Sequence, residues 1–116
     1  LLDGVQAPHY NYIGDSVLGN GAHMGAGSIC SNLKADRSEV SVKGEILYRT
    51  GLKKFGAVLA DGADIGCGAV LNPGTVIGRN TNVYPLVSVR GIVGGGRIVK
   101  AADNVAVKEE RKRCAE

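Results

Sequence analysis

In this chain of 116 residues, two histidines are the side chains whose ordinary pKa lets them take or give a proton near neutral pH. His9 stands beside Pro8 in the loop-like run PHYNYIGD. His23 follows fourteen residues later and is expected to be exposed. The cysteines (Cys30, Cys67, Cys114) number three and are widely spaced with no CxxC pair, so they suggest neither a disulfide framework nor a zinc site. No P-loop is present, and Gly94-Gly95-Gly96 lacks the strand–glycine–helix context of a dinucleotide site. The formal charge of +3 is diffuse; it suits a small anionic ligand and argues little for nucleic acid. The mixed charges of Lys108–Arg113 read as a solvated face.

Whatever chemistry His9 performs must be held by the elements around it, and these announce themselves by a period of six. Leu59, Ile65, Leu71, Ile77, Val83 and Val89 recur at that spacing, each followed four places on by Ala63, Ala69, Thr75, Thr81, Val87 or Val93. Gly66 and Gly78 directly follow aliphatic positions, where a tight turn would need a permissive backbone. Pro73, Pro85 and the Gly, Asn and Thr between them argue against a helix. The period is that of a hexapeptide-repeat β-helix, an all-β prism in which one short strand and one turn repeat. Eighteen glycines, one Phe and no Trp suit such thin coils, filled by small and aliphatic residues. The same register is read at Tyr12, Leu18, Met24 and Cys30, with Ser16, Ala22 and Ser28 four places on; Tyr12, Met24 and Cys30 are then interior.

The period breaks in three places. Gln6–Asn11 reads as a loop. Residues 31–56 form an inserted arm, whose Glu39–Ile46 alternation with Gly44 at the turn predicts a hairpin-like excursion. Residues 101–116 form a tail of good helix formers, expected as a short capping helix or a frayed end. The β-helix is therefore assigned to 1–100. Leu1 and Val5 already fit the repeat, so the chain is expected to be a natural C-terminal piece or one lacking its upstream part. Neither a secretory signal nor a membrane-spanning run is seen, and a cytoplasmic setting is the simpler expectation. At three to four coils the flat faces call for neighbours, and a three-sided prism suggests a homotrimer with clefts between subunits.

Pro8–Lys34 (PHYNYIGDSVLGNGAHMGAGSICSNLK) and Lys53–Gly91 resemble the C-terminal domains of sugar-1-phosphate nucleotidylyltransferases that carry an amino-sugar acetyltransferase. They are similar also to the acetyltransferase half of the bifunctional N-acetylglucosamine-1-phosphate uridylyltransferase. The string H-x-x-Y-x-G-D, then G-A-G-S, then N-L carries most of the specificity. The resemblance implies a left-handed parallel β-helix, a trimer, and acetyl-CoA in the groove between subunits, with no metal. It implies an attached nucleotidylyltransferase domain upstream; from the diffuse charge and the lack of a spanning run, no nucleic-acid or membrane partner is expected.

The resemblance also implies residue roles. His9 matches the family's base, and Tyr12 and Asn32 match residues that line its site. Leu33 stands where the bacterial-type enzyme has Tyr, and Ser38 where it has a phosphate-contacting Lys; Lys34 and Arg37 are the available substitutes. Lys53, Lys54, Arg90 and Lys100 are the candidates for the coenzyme's phosphates. The expected reaction is direct N-acetylation of an amino-sugar 1-phosphate of the glucosamine or galactosamine type. The alternative is a catalytically silent β-helix that trimerises or regulates an attached nucleotidylyltransferase. A carbonic-anhydrase-like reading would need three histidines on a metal, more than one chain supplies.

Overall fold

The computed structural model describes residues 1–108, and within them every regular element is a β-strand. Two-residue strands line three faces of a prism. The first face carries β1 (Tyr12–Ile13), β4 (Ile29–Cys30), β9 (Val70–Leu71) and β12 (Ser88–Val89). The second carries β2 (Val17–Leu18), β7 (Val58–Leu59), β10 (Val76–Ile77) and β13 (Ile92–Val93). The third carries β3 (His23–Met24), β8 (Asp64–Ile65), β11 (Asn82–Val83) and the longer β14 (Arg97–Ala101). All neighbours among these twelve are parallel, so the expected all-β parallel β-helix is what forms.

Each two-residue strand turns its second residue inward, which is why an aliphatic at every sixth place is enough to build the core. Leu18, Met24, Cys30, Ile65, Leu71 and Ile77 are fully buried. Ala63, Ala69, Thr75 and Thr81 fill the space beside the turns, equally buried. The two threonines satisfy their hydroxyls on turn carbonyls: Thr75 Oγ1 donates to Asn72 O at 2.6 Å and Thr81 Oγ1 to Gly94 O at 2.8 Å. Leu59 pairs with Ile77 eighteen residues on, one coil further.

Gly66 has a reason other than the expected turn geometry. Its φ is not positive, but a Cβ there would stand 2.5 Å from Pro85 N of the next coil. Gly78 likewise faces Gly94 C at 2.5 Å. Close passage of adjacent coils excludes any side chain.

Two further expectations are corrected in the first coil. Ile13, not Tyr12, holds the interior position under Cys30, and Tyr12 is 46% exposed. Ile13 and Leu18 are five residues apart, so the register slips by one there. Gln6 pairs with His23, so Ala7 already packs on the core and the presumed loop begins inside a coil.

The arm interrupts the second coil. Leu18 pairs with Leu59, 41 residues on rather than 18, so the insertion adds 23 residues. It forms an antiparallel hairpin of β5 (Val40–Lys43) and β6 (Leu47–Leu52), with Lys43 opposite Leu47. Val40 is fully buried, and the hairpin lies on a corner of the prism: a Cβ at Gly74 would stand 2.5 Å from Ser41 O.

The expected helix at 101–116 is not what the described part adopts. Asn104–Val107 is a strand, β15, antiparallel to β14, with Val99 opposite Val105. The alanines' local helix preference yields to pairing with an otherwise open sheet edge. Residues 109–116, with Cys114, lie outside the described part. Among the described residues no helix is long and apolar enough to cross a membrane.

Candidate functional site

Tyr12, Asp15 and Asn32 gather at the corner of the first face where the chain leaves β1 and β4, whereas His9 stands ahead of β1, on the side where the chain enters that face. His9 is exposed, and its ring nitrogens bond to no described residue. Its backbone is held: His9 N–H donates to Asn11 Oδ1 at 3.2 Å, and His9 O accepts from Gly27 N–H at 3.0 Å. Asn11 fixes that loop to the next coil by donating from Nδ2 to Gly25 O at 2.8 Å and Ser28 O at 3.2 Å. Sequence reading passed over Asn11; a turn-favouring Asn two places after His9 was the available signal.

Beside this loop runs a directed chain of polar groups. Tyr12 OH donates to Asn32 Oδ1 at 3.2 Å, and Asn32 Nδ2 donates to Asp15 Oδ2 at 2.7 Å. An ionised carboxylate only accepts, so Asp15 turns the amide nitrogen of Asn32 toward itself and the amide oxygen toward Tyr12. The phenol then spends its proton on Asn32 and leaves oxygen lone pairs to accept from a ligand. Asp15 adopts φ 44°, a conformation Asp tolerates better than most residues. Gly14 makes room: a Cβ there would stand 2.6 Å from the Asn32 side chain and 2.8 Å from Tyr12 OH. Asp15 was read only as part of a motif, and the structure gives it this orienting contact.

The arm starts and ends at the same place. Phe55 N–H donates to Asn32 O at 2.9 Å, and Leu33 pairs with Lys54. Lys53 and Lys54 therefore sit just past the returning strand β6, at the arm's neck. Lys34 lines a cleft of about 420 Å³ together with Ser31, Asp36, Asn72 and Arg90. Arg37 occupies the turn that follows, at φ 58°, and does not line the cleft. Ser38 N–H and hydroxyl both bond Asp36 Oδ1, at 3.0 and 2.6 Å, and hold that carboxyl below the usual range. Lys100 lies on β14 of the third face, away from this corner. The corner thus unites Tyr12 with Asn32, and Lys34 with Arg90. Lys43, missed in the sequence, lines from the arm a smaller adjoining recess of about 70 Å³ that Lys34 and Arg90 share with the cleft.

Other candidates stay out of the site. His23 is half-buried, with Nδ1 3.1 Å from Gln6 Oε1. Cys30 is core, and burial pushes its thiol up to about 11. Among the described residues no three of His, Cys, Asp and Glu cluster as a metal site would require.

No protein-family model matches the chain. Over 102 residues it is 34% identical to the bifunctional sugar-1-phosphate nucleotidylyltransferase/acetyltransferase of Sulfurisphaera tokodaii, a match that takes in 86% of this chain and 25% of that protein. Among solved structures it resembles the serine acetyltransferase of Neisseria gonorrhoeae (TM-score 0.60, 16% identity, 88% of this chain, 36% of that one). It also resembles a point mutant of AntD, an N-acyltransferase from Bacillus cereus, in complex with dTDP and coenzyme A (TM-score 0.55, 17% identity, 95% of this chain, 72% of that one). Fold and site together define a hexapeptide-repeat left-handed β-helix protein. Within that class the chain belongs with the C-terminal β-helix region of the sugar-1-phosphate nucleotidylyltransferase/acetyltransferases, and it spans about a quarter of the length of the relative it matches.

Proposed function

We propose that this β-helix transfers the acetyl group of acetyl-CoA directly to the amine of an amino-sugar 1-phosphate, of the glucosamine or galactosamine type. The observation that carries the reading is the Tyr12–Asn32–Asp15 chain beside the anchored His9 loop. The names of the relative and of the two structural neighbours support the reaction class. The step asks little of a protein. The amine nitrogen attacks the thioester carbonyl carbon, the new N–C bond forms, the C–S bond breaks, and the coenzyme leaves as its thiol. The His9 imidazole takes the amine's proton, and the thiolate takes one in turn. Tyr12 and Asn32 orient the acceptor sugar, and a backbone N–H of a turn steadies the developing oxyanion. No covalent enzyme intermediate is needed.

Flat prism faces and a shallow corner favour a homotrimer, with the acceptor bound between subunits and a nucleotidylyltransferase domain as the upstream partner in a cytoplasmic protein. Release of free CoA thiol from acetyl-CoA with glucosamine 1-phosphate and with galactosamine 1-phosphate tests the reading. Turnover with either supports it. No turnover by a folded trimer would replace it with a silent scaffold.

A further inference from the structure

The corner column that begins at the site continues upward into a cluster of positive charge. Gly14, Ser31, Asn72 and Arg90 each follow an interior residue of the first face. They stack coil on coil: Gly14 N–H donates to Cys30 O at 3.2 Å, Ser31 N–H to Leu71 O at 3.0 Å and Asn72 N–H to Val89 O at 2.9 Å. At roughly 4.8 Å per rung, Arg90 lies about 14 Å from Gly14 along the column. Lys34 lines the same cleft only two residues after Asn32, a reach of at most about 7 Å along the backbone. The hairpin arm then crosses the corner, its Ser41 O against Gly74 and its Lys43 O near Gly91, and Lys43 lines a small recess of about 70 Å³ next to the cleft together with Lys34 and Arg90, which line both.

Three cations therefore share one recess. Their side-chain nitrogens bond to no described residue, and the one ion pair among the described residues, Glu39–Arg49, lies elsewhere on the arm. Asp36 is the acid on the rim, and its carboxyl is already engaged by Ser38. Asp36 offsets part of this charge through Lys34; the like charges still repel, and a phosphoryl group relieves that repulsion while accepting charge-assisted bonds from all three.

We propose that Lys34, Lys43 and Arg90 form a single phosphate site, with Lys43 supplied by the arm, that takes a phosphomonoester or diphosphate of one of the two substrates. Only the source of that phosphate rests on the acyl-transfer reading; capture of the bare anion does not.

Calorimetric titration of the full chain with sodium diphosphate at low ionic strength tests the site. Saturable binding is expected, weakened about tenfold or more by Lys43→Gln and by Arg90→Gln, as loss of a charged hydrogen bond implies. Both variants keep most of their apolar stems, and an unchanged thermal midpoint verifies folding. Arg79→Gln, on another corner, should bind as the native chain does. No binding by the native chain, or native affinity in both cleft variants, overturns the proposal. Steady-state turnover identifies the source. A variant effect that vanishes when glucosamine replaces glucosamine 1-phosphate assigns the site to the acceptor's phosphate. One that vanishes when S-acetylpantetheine replaces acetyl-CoA assigns it to the coenzyme, and one that survives both replacements overturns the site. A chain without turnover would sink the acyl-transfer reading and leave the diphosphate titration to decide the site.

Discussion

Residues 59–93 and residues 8–55 build the same three faces by different means. In the later stretch paired rungs from Leu59 to Val89 lie eighteen residues apart and each interior position is aliphatic. The spacing shortens to sixteen only at Val93, which pairs with Ile77 as an interior residue of β13 rather than filling the space beside a turn as expected. In the earlier stretch the spacing contracts to five between Ile13 and Leu18, and then a 23-residue arm leaves and returns between paired rungs. The slip pushes Tyr12 outward, where its phenol meets Asn32, and the arm brings Lys43 over the corner. Regular repeats spend their side chains on packing; departures from the repeat free side chains for a site.

The largest contrast should appear in stability. Leu71 is fully buried in the regular stack, and Leu71→Ala should cost about 2–5 kcal/mol in denaturant unfolding. Leu47, on the arm and 56% exposed, should change stability by less than about 0.5 kcal/mol on the same substitution. Equal losses would mean that arm and coil form one core.

Cys30 gives the next effect. Its thiol is raised from 9.0 to about 11, so between those values the unfolded chain loses the proton while the folded chain keeps it. Stability is therefore fully present below pH 9 and falls as pH rises through 11, by about 2–3 kcal/mol in all. Cys30→Ala should flatten that alkaline loss, at the cost of a small cavity. An unaltered pH profile in the variant would assign the loss to other groups.

The smallest stability changes belong to the polar chain at the corner. Asp15→Asn keeps a residue tolerant of the observed φ of 44° but removes the acceptor-only partner that orients Asn32. Turnover should fall roughly tenfold while unfolding shifts by under about 1 kcal/mol, because slight misplacement is costly in rate and cheap in stability. Tyr12→Phe should shift unfolding by less than about 0.5 kcal/mol, since its hydroxyl bond is exposed. A loss as large as that of Leu71→Ala would return Tyr12 to the core.

How far the sequence revealed all this follows from the same contrast. Ile65, Leu71 and Ile77 could be assigned inward from spacing alone, because one residue of each short strand must be apolar. The slip at Ile13 was hidden, since Tyr12 and Ile13 are adjacent and both fit an apolar place; only pairing with Cys30 decides between them. The tail misled for a related reason. Its alanines favour a helix locally, but an open strand edge nearby decides the outcome for Asn104–Val107. The family resemblance grouped His9, Tyr12 and Asn32, and the structure joins the last two directly. Lys43 could not be found that way, because its place depends on where a hairpin lands two coils away.

The most direct test of the account is thiol release from acetyl-CoA with the two amino-sugar 1-phosphates, comparing the native chain with His9→Ala at matched unfolding midpoints. Loss of a positioned general base should lower turnover about 10²- to 10⁴-fold with stability unchanged, since the His9 ring packs against no core. Turnover equal to that of the native chain would contradict the account and place the base elsewhere.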